Sequence, residues 1–98
     1  MKPADFKPLI SQAHIRIAEY IRETPIVRLP QGAFGISAHL TLKLELMQHA
    51  GSFKSRGAFN RILQNTVPPV GVIAASCVNH CAAVAFAARQ LGYRAEIF

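Results

Sequence analysis

Along residues 5–22 the apolar positions Ile10, Ala13, Ile17 and the pair Tyr20-Ile21 recur at helical spacing, which predicts an opening amphipathic helix. Thr24-Pro25 ends it, because a residue before proline is pushed out of the helical region. Ile26 to Leu29 is a short extended run, and Pro30 to Gly35 is rich in turn formers. From Leu40 the pattern changes. Leu40, Leu42, Leu44 and Leu46 alternate with Thr41, Lys43 and Glu45, the signature of a half-buried strand. Gln48 to Gly51 is a polar loop. Ser52 is then placed to cap a helix whose apolar face is Ala58, Phe59, Ile62 and Leu63. Pro68 and Pro69 close that region, and Gly71 to Ala75 reads as an apolar strand. Ser76 to Cys81 turns into a further helix that runs to about Leu91, with Gly92 as its stop signal and Arg94 to Phe98 as a last strand.

After residue 40 the predicted order is strand, helix, strand, helix, strand. The expected fold class is therefore α/β, a parallel sheet with crossover helices. In such a sheet the functional site lies at the carboxyl ends of the strands. Residues 47–54 and 76–81 are the turns expected there. Ala95 to Phe98 is too short a strand to close a domain, so the chain reads as an apparently truncated part of a larger unit.

The chain has 98 residues, half of them apolar, enough for a packed core and too few for a large one. No apolar run is long enough to span a membrane, and the first ten residues lack the apolar core of a secretion signal, so a cytoplasmic location is expected. The net charge of +6 raises the possibility of a nucleic-acid partner. The basic residues are scattered, however, and the densest group, Lys54, Arg56 and Arg61, has no interleaved aromatic platform, which argues against such a partner. Arg56 and Arg61 are read as structural or solubilising. His14, His39 and His49 carry no clear signal.

Two segments carry the chemistry. The run LKLELMQHAGSFKSRGAFN, Leu42 to Asn60, closely resembles the lysine motif of fold-type II pyridoxal-phosphate enzymes. It is most similar to that of the serine/threonine dehydratases, whose strand leads through Q-H-x-G-S-F-K-x-R-G-A into a helix. The run GVIAASCVNHCAAVAFAARQLGYRAEIF, Gly71 to Phe98, resembles the asparagine loop of the same family with its helix and next strand, and ETPIVRLP, Glu23 to Pro30, resembles its T-P-L-x-R stretch. The resemblance runs from about residue 5 to the end and implies that residues 1–98 are the N-terminal fragment of a dehydratase-like catalytic domain.

By this resemblance Lys54 forms the Schiff base with pyridoxal 5′-phosphate and Phe53 lies against the pyridine ring. Asn79 hydrogen-bonds the cofactor's 3′-hydroxyl, and Ser76 and His80, with Asn79 beside them, hold the substrate carboxylate. The physical reading agrees with these roles. A lysine at a helix start opposes the macrodipole, which favours the reactive neutral amine, and a helix start is a natural seat for an anion. The implied reaction is an ammonia-lyase reaction, in which a hydroxy-amino acid such as threonine or serine gives a 2-oxo acid and ammonia. The resemblance also implies an amino-acid substrate and a homodimer. A serine/threonine racemase is the alternative within the family. A non-catalytic remnant is the alternative outside it, since these residues contain no glycine-rich phosphate-binding loop.

The chain departs from the family at Cys77, Val78 and Cys81, where glycine or alanine is usual. Val78 is the hardest to accommodate if the loop needs positive φ there, because β-branched residues resist that geometry. Cys77, His80 and Cys81 do not have a standard zinc spacing, so no metal is expected.

Overall fold

The computed structural model of the chain describes residues 2–75 and 78–98. Its centre is the packing of two helices, α2 (Lys54–Leu63) and α3 (Val78–Gln90). Helix α2 buries Ser55, Ala58, Phe59 and Ile62. These fall at intervals of three and four, so they share one face. Helix α3 buries Cys81, Ala83, Val84, Ala87 and Ala88. Three alanines at zero exposure let the backbones approach closely, and the large ring of Phe59, also fully buried, fills the space they leave.

Helix α1 (Pro3–Ile17) brings only Ile17 fully into this core. The spacing predicted a helix to residue 22, but it stops earlier. The Tyr20 amide bonds Ile17 O at 2.9 Å, tightening the last turn, and the Arg22 amide is taken by the Gln48 side chain at 2.9 Å. Tyr20 then stacks on Phe59 with ring centroids 5.3 Å apart.

Strands β1 (Ile26–Leu29) and β2 (Leu40–Lys43) form an antiparallel ribbon in the register Ile26↔Lys43 to Leu29↔Leu40. Strands β3 (Val72–Ala74) and β4 (Ala95–Ile97) form a separate parallel pair, Val72↔Ala95 to Ala74↔Ile97, joined by α3 as the crossover. The α/β class and the parallel crossover unit therefore match the sequence pattern. The strand after residue 40 does not join that parallel sheet. It pairs back onto the segment after Pro25, a hairpin-like partner that alternation alone does not reveal. The strand predicted over Leu40–Leu46 also ends at Lys43. Glu45–Met47 winds into a 3₁₀ turn, because the Glu45 side chain is drawn toward Thr24 and Arg56. Most of β2 is exposed rather than half-buried, since no layer covers it among the described residues.

Two glycines sit where positive φ favours glycine over other residues. Gly92 (φ 81°) closes α3: its amide bonds Arg89 O at 3.2 Å and the Tyr93 amide bonds Ala88 O at 2.8 Å, the pattern of a Schellman stop. Gly71 (φ 97°) lies so close to the chain entering β4 that a Cβ would sit 2.2 Å from Arg94 O.

The radius of gyration is 16.2 Å. A closed globule of this length would have about 13 Å. The extents of 52 × 29 × 24 Å, an elongated outline, account for the excess. Phe59→Ala is expected to remove roughly 3–5 kcal/mol, which in so small a core abolishes cooperative unfolding, as read by circular dichroism on heating.

Candidate functional site

The loop from Leu44 to Lys54 is held by polar contacts on all sides. Leu44 N donates to Pro25 O at 2.9 Å, continuing the ribbon by one bond. The Glu45 carboxylate pairs with Arg56 and accepts from Thr24 Oγ1 at 2.9 Å and from Gln48 Nε2 at 3.4 Å. Arg22 Nη1 donates to Met47 O at 3.2 Å and Lys43 Nζ to Thr24 O at 3.2 Å. Ser55, fully buried, donates its hydroxyl to His49 O. Ala50 (φ 60°) and Gly51 (φ 74°) both take left-handed geometry, and for Ala50 that carries a strain of order 1 kcal/mol that the surrounding bonds must offset.

Helix α2 starts directly from this loop. The residue expected to cap it, Ser52, lies one position before the geometric cap, Phe53. The Ser52 hydroxyl still accepts from Lys54 N at 3.3 Å, so it serves the first turn from one position further out. Lys54 is exposed, and its Nζ lies 5.2 Å from the centre of the Phe53 ring. Both residues line a cleft of about 750 Å³ between α2, β3 and α3. Ile62, Ile73 and Val84 supply apolar wall, and Arg61 and His80 bring polar groups to it. The volume falls within the range of small-molecule sites, roughly 300–1,000 Å³. A primary amine, an aromatic side chain, an apolar wall and cationic groups together suit a flat aromatic aldehyde that carries anionic substituents.

The predicted site residues are distributed as follows. Lys54, Phe53 and His80 come together in this one cleft, from the first turns of two helices. Asn79, exposed in the first turn of α3, is next to His80 in sequence but is not part of the cleft lining. Ser76 and Cys77 lie outside the described residues. Val78 is the first residue of α3, and its side chain is 86% exposed. Arg56 has the structural part expected of it, as the partner of Glu45. Both Arg56 and Arg61 also line the cleft.

Sequence reasoning passed over Gln48, Glu45, Thr24 and His49. The first three form the clamp described above. His49, which carried no signal, stacks on Phe86 of α3 with ring centroids 4.5 Å apart, tying the lysine loop to the second helix. The signal that could have found them is local: four polar residues beside a loop that must hold two left-handed positions.

Electrostatics follow this packing. Burial of the His49 imidazole, with the Arg22 charge beside it, lowers its pKa below the ordinary 6.5. For Glu45, burial acts to raise the pKa, but hydrogen bonds from Arg56, Thr24 and Gln48 and the charge of Arg56 outweigh it and hold the carboxyl below 4.5.

Comparison with known proteins places the chain in context. Residues 17–98 match the family described as "Pyridoxal-phosphate dependent enzyme". The catabolic L-threonine dehydratase TdcB of Staphylococcus aureus strain USA300 is 42% identical over 91 residues, which cover 90% of this chain and 26% of that protein. Among solved structures, maize serine racemase superposes with a TM-score of 0.80 at 39% identity, over 93% of this chain and 29% of that one. A threonine deaminase from T.th. superposes with a TM-score of 0.75 at 36% identity, over 91% of this chain and 31% of that one. The chain thus spans about a quarter to a third of the length of these relatives.

The His49 shift yields a test. Because its folded pKa is lower than its unfolded one, the unfolded chain binds more protons below pH 6.5. The stabilisation is complete above that value and is lost as pH falls through the lowered folded value. Thermal unfolding followed from about pH 8 to about pH 5 should therefore show a falling midpoint on the acid side. His49→Phe, which keeps a ring against Phe86, should flatten that slope. The Glu45 contribution, by the same sign, should fade only below pH 4.5.

Proposed function

Because the chain belongs to the pyridoxal-phosphate dependent enzyme family, we propose that Lys54 is the amine that holds the cofactor and that the protein carrying these residues is an ammonia-lyase acting on threonine or serine. The observation that carries this reading is the meeting of Lys54, Phe53 and His80 in one cleft, from the first turns of α2 and α3. Residues 1–98 are then the N-terminal part of its catalytic domain. The 42% identity to a threonine dehydratase supports the choice of reaction.

The cofactor, when bound, supplies the electron sink that lets a proton leave the substrate's α-carbon. The chain's own residues do the rest. Nζ of Lys54 would hold the cofactor and, once displaced by the substrate's amine, would be the base placed to receive that proton. Phe53 forms an aromatic wall at the amine. Asn79, beside His80 in the first turn of α3, would meet the cofactor's 3′-hydroxyl, where an amide can donate or accept. His80, with Ser76 and the first amides of α3, holds the substrate carboxylate at a helix start, where backbone N–H groups favour negative charge. Loss of the β-hydroxyl from the substrate leaves a 2-oxo acid and ammonia after hydrolysis. A cytoplasmic, homodimeric enzyme is part of the same reading. No helix among the described residues is long and apolar enough to cross a membrane.

A second reading, an amino-acid racemase, draws on the maize serine racemase superposition. The two differ in product, not in the lysine.

The test is reductive trapping. The chain is mixed with pyridoxal phosphate at low concentration, reduced with borohydride, digested, and the modified lysine is found by mass spectrometry. Label should concentrate on Lys54 over Lys2, Lys7 and Lys43, and Lys54→Ala should abolish that preference. Label spread evenly over the four would contradict the assignment.

A further inference from the structure

Gln48 is 2% exposed, yet it belongs to a loop and lies outside the apolar core. A primary amide has two acceptor lone pairs and two N–H donors. All four are used here. Oε1 accepts from Arg22 N at 2.9 Å and from His49 N at 3.1 Å, and Nε2 donates to Arg22 O at 2.9 Å and to Glu45 Oε2 at 3.4 Å. The side chain therefore pairs with both backbone groups of Arg22 as a neighbouring strand would. It joins the segment before Pro25 to the start of the lysine loop.

From Gln48 the bonding continues toward Lys54. Gly51 N donates to Gln48 O at 2.9 Å, Ser55 Oγ donates to His49 O, and Lys54 N donates to Ser52 Oγ at 3.3 Å. Between these bonds lie the left-handed Ala50 and Gly51. A loop that holds a non-glycine residue in that region relaxes unless its ends are fixed. Its far end is fixed by helix α2, whereas the near end is fixed by Gln48.

We propose that Gln48 is the positioning residue for Lys54: its four-way amide clamp to Arg22, His49 and Glu45 sets the loop 48–54 and so the place from which the Lys54 side chain enters the cleft. The inference rests on Lys54 as the cofactor lysine for its functional meaning. Its geometric content stands by itself. Gln48 touches no reacting atom and acts only through the loop.

The experiment uses two substitutions in the full chain and two readouts. Gln48→Met keeps the length of the side chain and removes all four bonds. Gln48→Glu keeps the two acceptor contacts, loses the donation to Arg22 O, and sets a second carboxylate against Glu45. The first readout is amide hydrogen exchange at Gly51, Lys54 and Arg56, none of which bonds the Gln48 side chain, compared with Ala83, Val84 and Ala87 of α3. The second is the ratio of borohydride-trapped pyridoxyl label on Lys54 to that on Lys43.

In Gln48→Met, exchange at the three loop and helix-start amides should rise about tenfold, the scale of one buried hydrogen bond lost, while α3 stays within about twofold of the parent. The label ratio should fall by a similar factor. In Gln48→Glu both readouts should depend on pH and return toward the parent as pH falls, because the protonated carboxyl regains a donor for Arg22 O. A role confined to overall folding would not produce the local pattern, since α3 would lose protection in step with the loop.

Unchanged exchange at Lys54 and an unchanged label ratio in Gln48→Met would overturn the proposal. So would a parallel loss of protection in α3 in both variants, since Gln48 would then hold the fold and not the lysine. If the parent itself spreads its label evenly over its lysines, the cofactor assignment fails, and the exchange pattern alone decides whether Gln48 positions the loop.

Discussion

Phe59 has no exposed surface, and neither do Ala83, Ala87 and Ala88 in the same apolar cluster. One large ring set among small residues is what allows α2 and α3 to lie close together, and everything at the site follows from that approach. The first turns of both helices open on the same cleft because the helices are packed, and the parallel pair β3–β4 is placed by the crossover through α3. Phe86 extends the cluster outward, edge-on to Phe59 at 6.1 Å and stacked on His49. The apolar core therefore reaches the lysine loop through a single aromatic step.

A second, polar constraint meets the first at that loop. Thr24, Glu45, Gln48 and Arg56 tie the segment before β1, the end of β2 and the start of α2 together. Buried polar groups stabilise only when their partners are in place, and no buried side-chain nitrogen or oxygen among the described residues lacks one. The division of labour is physical. Apolar contact is non-directional and decides that α2 and α3 meet, whereas directional bonds decide how the strained turn at Ala50-Gly51 presents Lys54.

The sequence made some of this legible and not the rest. Helix α2 is readable because its apolar face repeats at helical spacing, and the end of α3 because Gly92 marks a stop. The lysine and asparagine segments are readable because particular residues follow one another in a fixed order, and Lys54, Phe53 and His80 do gather in one place. The early end of α1, the 3₁₀ turn at Glu45–Met47 and the antiparallel partner of β2 are not readable. Each depends on a contact distant in sequence: Arg22 with Gln48, Glu45 with Thr24, Leu42 with Val27. Period and propensity describe neighbours along the chain, and these choices are made by neighbours in space.

The cleft requires α3 to lie against the lysine loop and α2 at once. Proton–proton Overhauser contacts measured on the chain in solution test this directly. The account predicts cross-peaks between the rings of His49 and Phe86, whose centroids are 4.5 Å apart, alongside those between Tyr20 and Phe59 at 5.3 Å. A chain that shows the Tyr20–Phe59 contact but none between His49 and Phe86 would contradict it, because the lysine loop would then be folded without the helix that completes the cleft.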